Sequence, residues 1–330
     1  MKKTIFFFLS EYRITCLGNL FNNAYNKFNL IPITSLDTNI EQQIYNLTLQ
    51  YPERFKVIYS DNYYIETRKG QKRIFWNNEL RNSPPPTQLE EMDQALWMVF
   101  NPLAGNANKL FMLYPSIASE SKPLSSPSIV YIGEIKKEIS TLARTVFKEH
   151  FPRIINNYLL IDELVASLKL CIDKRYEIYG ELKALLRIHC INLIKNKFPN
   201  KVILIGDDWK AYHEDALPNN YDKAYKQQLY QGNICLDIGS WSGSSSLYPR
   251  SIEILESGGI LIQLKQIDSK IYTTAFQKLA IANNDIELIS RINRLLNWGW
   301  NRKKYYKELR INFQNSVEMQ ENFLESLFSN

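Results

Sequence analysis

Cysteine and histidine are both scarce in this chain of 330 residues. The four cysteines, Cys16, Cys171, Cys190 and Cys235, form no Cys-x-x-Cys pair. That argues against a disulfide framework or a cysteine zinc site and for buried thiols in a reducing compartment. Three scattered histidines do not make a metal site. His189 falls on an apolar helix face, and His150 stands where a helix is expected to end. No apolar stretch approaches a membrane span in length. The opening MKKTIFFFLSEYR starts like a signal peptide, but Ile5 to Leu9 is too short for its apolar core and Glu11 and Arg13 follow at once. It reads as a first buried strand. There is no run of like charge and no arginine-rich tail, so nucleic acid is not an expected partner. Neither G-x-G-x-x-G nor G-x-x-x-x-G-K-[ST] occurs, so the phosphate loops of nicotinamide and ATP chemistry are missing. No dense carboxylate cluster suggests a metal, no cofactor is expected, and no internal repeat stands out.

What remains describes a folded chain with a basic balance. Apolar residues make up 45% and charged residues 22%, the formal net charge is +6 and the isoelectric point about 8.9. A cationic surplus suits a polyanion, an acidic membrane surface or a phosphorylated ligand. The expected location is cytoplasmic, with room for contact at the inner face of a membrane. The length suits two domains. The polar ESKPLSSPS stretch at 120–128 divides residues 1–120 from 121–330.

In the first part, TIFFFLS reads as a strand. FKVIYSDNYYIET and QKRIFWN read as short strands around a Lys-Gly turn. PPPTQLEEMDQALWMVF reads as a helix with Met92, Leu96 and Val99 on one face. In the second part, SIVYIGE, VILI (202–205), NICLDIG and ILIQL read as strands that alternate with helices. The long YEIYGELKALLRIHCINLIKNKF helix carries one apolar side, and the tail after Lys303 reads as amphipathic helix packing back. Strand and helix in alternation are the mark of a doubly wound parallel sheet, whose ligands collect at the carboxyl ends of the strands.

Two such ends carry glycine, LIGDDW at 204–209 and LDIGSWSGSSS at 236–246. In the second loop Gly243, Ser244, Ser245 and Ser246 allow close approach and offer hydroxyls and N–H groups. Pro249 suits the first turn of the helix behind it, and a helix N-terminus attracts phosphate. Arg250 adds a forked cation matched to phosphate oxygens. Glu253 sits one turn further on the same face, where a carboxylate can accept from ribose hydroxyls as in dinucleotide folds. Gly206, Trp209, Trp241 and His213 complete the candidate ligand-binding set. Asp207 and Asp208 are adjacent and make a poor magnesium pair. Glu11, Asp61 and Glu66, at or near strand ends of the first part, are the candidates for a general base. The competing reading of each residue is a solvated loop or surface pair.

LYPRSIEILESGGILI resembles the signature of the glycosyl transferase-like proteins related to spore maturation and spore-coat factors. These have the C-terminal domain of GT-B glycosyltransferases. IVYIGE and KVILIGDDW resemble that family's first and mid-domain strands, and the likeness spans roughly 128–270. It implies an α/β fold of two Rossmann-like domains facing a cleft, with a nucleotide-diphosphate sugar held by the second domain. Glu253 would hold the donor ribose, and Arg250 would act catalytically at the diphosphate. A site of Arg250, a helix N-terminus and loop N–H groups needs no metal, and the expected acceptor is a glycan, glycolipid or protein. Many retaining relatives carry a second glutamate where this chain has Ser245, so the stereochemical outcome is open. A catalytically silent nucleotide-binding or assembly protein on the same fold is the alternative.

Overall fold

The computed structural model describes residues 2–9, 11–34, 55–60, 73–77, 94–97, 112–117, 124–135, 138–220, 222–239, 245–297 and 299–328. The chain is α/β, and the described residues form two five-stranded sheets whose strands pair in parallel throughout. It divides into two units, one of residues 1–101, 106–114 and 315–330, the other of 102–105 and 115–314.

The first unit holds β1 (Lys3–Leu9), β2 (Phe28–Thr34), β3 (Phe55–Ser60), β4 (Arg73–Asn77) and β5 (Gln94–Trp97) in the order β2-β1-β3-β4-β5. Ile5, Phe6, Phe7 and Leu9 of β1 are buried. Short helices α1 (Glu11–Cys16) and α2 (Gly18–Asn22) follow β1. The short strands expected on either side of the Lys-Gly sequence are present, and they pair in parallel, Val57 to Ser60 with Arg73 to Trp76. One expectation is corrected here. The expected helix near Leu96 contains β5, an edge strand on β4. A short apolar run such as ALW does not distinguish strand from helix by periodicity, and a free edge on β4 decides for the strand.

The second unit orders its strands β10-β9-β8-β6-β7. They are β6 (Ile129–Ile132), β7 (Val202–Ile205), β8 (Ile234–Asp237), β9 (Ile260–Leu264) and β10 (Ile281–Ala282). Every residue of β6, β8 and β9 is buried, as expected of central parallel strands covered on both faces. Each fully buried Ile or Leu contributes about 1.5–3 kcal/mol. Counted from its own first strand, this sheet repeats the order of the other, although no sequence repeat announces it. The order is that of flavodoxin-like doubly wound folds, which reverse direction between the first strand and its third-strand neighbour.

The helices are α3 (Thr141–Ile154), α4 (Leu160–Ser167), α5 (Ile172–Lys197), α6 (Lys223–Tyr230), α7 (Pro249–Glu256), α8 (Thr274–Ala280), α9 (Asp285–Asn297) and α10 (Gly299–Phe313). Polar caps set several starts. Ser140 Oγ accepts from the Ala143 N–H (3.2 Å), and Asp222 from that of Ala224 (2.8 Å). His150 lies inside α3, which runs past Pro152 to Ile154, so it is not a helix cap. The α5 helix buries far more than one apolar side, Glu181, Lys183 and Arg187 being buried with Leu182 and Leu186. Cys190 and Cys235 are buried thiols, but Cys171 is exposed just ahead of α5.

The last helix, α11 (Ser316–Phe328), belongs with the first unit and not with the second as the sequence suggested. Glu321 accepts from the Lys27 N–H (2.7 Å), Gln320 Oε1 accepts from the Tyr114 N–H (3.2 Å), and Lys27 Nζ pairs with Glu325. Among the described residues no helix is long and apolar enough to cross a membrane.

Candidate ligand site at the strand ends of the second unit

The strand order of the second unit reverses between β6 and β8. Crevices for ligands form outside the carboxyl ends of strands at such a reversal. The residues there are Tyr131, Gly133, Asp237, Gly239 and the first turn of α7. Pro249 opens α7, its missing N–H being one that no helix partner would have met. That start puts Arg250 and Ser251 over the end of β8.

Arg250 lies over the ring of Tyr131, 5.5 Å from its centroid, a cation–π contact. Its Nη1 stands 3.6 Å from Asp237 Oδ1, with Asp237 2% and Arg250 18% exposed at the side chain. That distance makes an ion pair but not a hydrogen bond, and Nη1 has no hydrogen-bond partner. Gly133 makes the arrangement fit. A Cβ there would meet Arg250 Nη2 at 2.8 Å and the Tyr131 hydroxyl at 3.0 Å. The Tyr131 hydroxyl is itself buried without a hydrogen-bond partner.

Asp237 ties this corner together. Its Oδ1 accepts from the Gly239 N–H at 3.2 Å, and its Oδ2 accepts from Gln263 Nε2 at 3.0 Å and from the Ser251 hydroxyl. Gln263 Nε2 also reaches Ser251 Oγ (2.9 Å) and the Ser246 carbonyl (3.1 Å). One carboxylate thus joins β8, its following turn, the first turn of α7 and β9. A half-satisfied polar network is costly in a low-dielectric interior, and a satisfied one is rigid.

Glu253, one turn beyond Arg250, is half-buried. Burial pushes its carboxyl above the usual range, against the pull of Lys226, Arg250 and Lys223. Lys223 and Lys226 come from α6, so cations of two helices oppose the shift.

Several expected ligand contacts are corrected. Trp209 offers no face for stacking: it is fully buried, and its indole N–H donates to the Gly133 carbonyl at 2.7 Å. Gly206 serves backbone against backbone. Its φ is +152°, and a Cβ would stand 2.4 Å from the Gly133 carbonyl oxygen. Ser245 and Ser246 are buried and committed. The Ser245 hydroxyl donates to Asp268 (3.2 Å), the Ser246 N–H donates to Asp268 (2.8 Å), and Ser246 Oγ lies 3.1 Å from Ser269 Oγ. Asp268 is pushed up by burial, with these bonds working against the shift. His213 packs on Trp209 beside Lys195 and Asp215, and burial first, then Lys195, lowers its pKa. Gly243, Ser244, Trp241, Asp61 and Glu66 lie outside the described residues. Glu11 is exposed at the start of α1. Asp207 accepts from the Asn219 N–H at 2.9 Å. Among the described residues no group of three or more His, Cys, Asp or Glu side chains is placed to hold a metal ion.

The sequence reading brought Arg250 and Glu253 together but missed Asp237, Gln263 and Tyr131. The available signal was a polar residue inside an otherwise apolar strand, Asp237 in ICLD and Gln263 in ILIQL.

No family model matches the chain, and no curated protein matches it. Among solved structures, the transcription regulator CcpA of Lactococcus lactis is similar over 95% of this chain and 92% of that one. The identity is 10% and the TM-score 0.20. At that score the likeness carries no argument about function.

Proposed function

We propose that the second unit binds a nucleoside diphosphate at the ends of β6 and β8. We further propose that the protein is a glycosyltransferase on a GT-B-like arrangement, moving a sugar from a nucleotide-diphosphate donor to a glycan, glycolipid or protein acceptor. One observation carries the reading: Arg250 and Glu253 stand one turn apart on α7, at the point where the strand order reverses. A guanidinium suits the diphosphate and a carboxylate suits paired ribose hydroxyls.

In such a transfer the bond from the anomeric carbon to the diphosphate oxygen breaks. A bond to the acceptor oxygen forms, and the acceptor's proton passes to a base. Negative charge gathers on the leaving diphosphate. Arg250 and the first N–H groups of α7 stabilise it most where that charge is greatest. Tyr131, Gly133 and Asp237 act by holding the guanidinium in place.

The test is calorimetric titration with UDP, GDP, UMP and NAD, of wild type beside Arg250→Ala and Glu253→Ala. One nucleoside diphosphate should bind saturably. Arg250→Ala should weaken it by about ten- to a hundredfold, the value of a hydrogen bond to a charged group. Folded protein that binds none of the four refutes the reading.

A second reading has its own observation. Arg250 is already balanced by Asp237, and position 245 carries serine where retaining relatives of the resembled family carry an acid. A binding or assembly protein without turnover fits both. Nucleotide binding without release of sugar from any donor would favour it.

A further inference from the structure

A separate surface of the second unit, far from Arg250 in sequence, concentrates apolar and cationic side chains. Helix α9 packs one apolar face inward and carries isoleucines among Asp285, Ser290, Asn293 and Asn297 on its groove side. Leu288, Ile292 and Leu295 are buried in the core. Ile286 and Ile289 instead line an open groove of about 1050 Å³ with Leu193, Phe198, Lys197 and Lys201, and Ile286 is 78% exposed. Helix α10 continues from this corner. It buries Tyr305, Tyr306, Leu309 and Phe313. Its outward stripe reads Trp300, Lys303, Lys304, Lys307 and Ile311, spaced as neighbours on one helix face. Trp300 is 60% exposed, and all three lysines are exposed. Helix α10 is tied to the segment that lines the groove, because Arg302 donates to the carbonyl of Leu124, which precedes the groove residue Ser125 and is itself exposed. The segment RINRLLNWGWNRKKYYKELR, 291–310, holds seven basic residues against one acid.

Such a surface has a cost in water and a use elsewhere. Exposed aliphatic and tryptophan side chains rimmed by lysines match the interface of an anionic bilayer. There the apolar groups enter the acyl boundary and the lysines meet lipid phosphate. A nucleic acid would satisfy the lysines but would leave Ile286 and the groove without a partner. We propose that the α9–α10 corner docks the protein on membranes containing anionic phospholipid, with Ile286 and Trp300 inserted and Lys303, Lys304 and Lys307 at headgroup level. The proposal stands whether or not the strand-end site binds a nucleotide.

The test is co-sedimentation of the full chain with vesicles of phosphatidylcholine alone or mixed equally with phosphatidylglycerol. Binding is expected only with phosphatidylglycerol. It should fall about fivefold for each of Lys303, Lys304 and Lys307 replaced by glutamine. Trp300→Ala should weaken binding at high salt as well as low, because its contribution is not screened. Thermal unfolding of these surface variants checks that they remain folded. Three results overturn the proposal: no binding to phosphatidylglycerol vesicles; an equal loss from glutamine at the exposed Lys148, Lys210 and Lys278, which would leave only net charge; or capture by duplex DNA that competes the protein off the vesicles.

Discussion

The second unit treats its cations in two opposite ways. At the ends of β6 and β8, Arg250 is enclosed by Tyr131, Gly133 and Asp237, and the carboxylate beside it accepts three hydrogen bonds. Along α10 the lysines stand in solvent on a face that buries nothing. A cation held in fixed geometry can discriminate among ligands of one charge, because only one arrangement of oxygens satisfies it. Cations on mobile side chains in water contribute attraction without geometry. The enclosed arginine is therefore the place for a specific anion, and the exposed stripe is the place for an extended, negatively charged surface.

The contrast is broken most severely by Asp237→Ala. The substitution leaves Ser251, Gln263 and the Arg250 guanidinium without the acid they share. Removing one partner of a buried pair costs about 3 kcal/mol or more. Urea unfolding should report a loss of that size, whereas Lys304→Ala on the exposed stripe should change stability by less than about 0.5 kcal/mol. Equal midpoints for the two variants would show that the enclosure of Arg250 contributes nothing.

Gly133→Ala sharpens the same contrast at lower cost to the fold. A methyl group 2.8 Å from Arg250 Nη2 forces the guanidinium off the Tyr131 ring. The bonds that Asp237 makes to Ser251, Gln263 and Gly239 do not involve position 133. Loss of one charge-assisted hydrogen bond to a diphosphate amounts to roughly tenfold in affinity. Titration should show weaker nucleoside diphosphate binding with near-normal unfolding. Unchanged affinity would mean that the guanidinium position does not matter to the ligand.

What could be read in advance, and what could not, follows the range of the interactions. Strand β7 was legible as a strand because Val202 to Ile205 is continuously apolar, but not its place at the edge of the sheet. Helix α7 was legible because Pro249 opens it and paired glycines close it. These are local signals. At 94–97 the expected helix gave way to β5 because the deciding neighbour, β4, lies some 20 residues earlier in the chain. Ser245 and Ser246 were misjudged for the same reason. Whether a hydroxyl is free depends on its partner, and for Ser245 and Ser246 the partners are Asp268 and Ser269, beyond β9. Arg250 and Glu253 stood out because helical spacing alone places them together. The carboxylate that positions Arg250 did not, because strand pairing and the approach of α7 bring it there.

The mildest test concerns Glu253, an acid whose burial opposes its charge. Burial raises its folded-state pKa above the value in the unfolded chain, although Lys226, Arg250 and Lys223 pull the other way. An acid with a raised folded pKa binds its proton more tightly when folded. Its contribution is fully present below the unfolded pKa and is lost as the pH rises through the folded one. Glu253→Gln keeps the shape and removes the titration. The variant and wild type should match in stability at acid pH, and the variant should become the more stable of the two as the pH approaches neutrality. Asp268, also raised by burial, titrates in both proteins and cancels in the difference. Thermal unfolding across that range reads the effect directly. A difference that stays flat with pH would mean that the lysines of α6 fully compensate the burial, and Glu253 would then be an ordinary carboxylate at the edge of the crevice. If the predicted slope appears and a bound nucleoside diphosphate alters it, the ligand and the Glu253 proton are linked, which places the ligand within reach of the carboxyl one turn beyond Arg250.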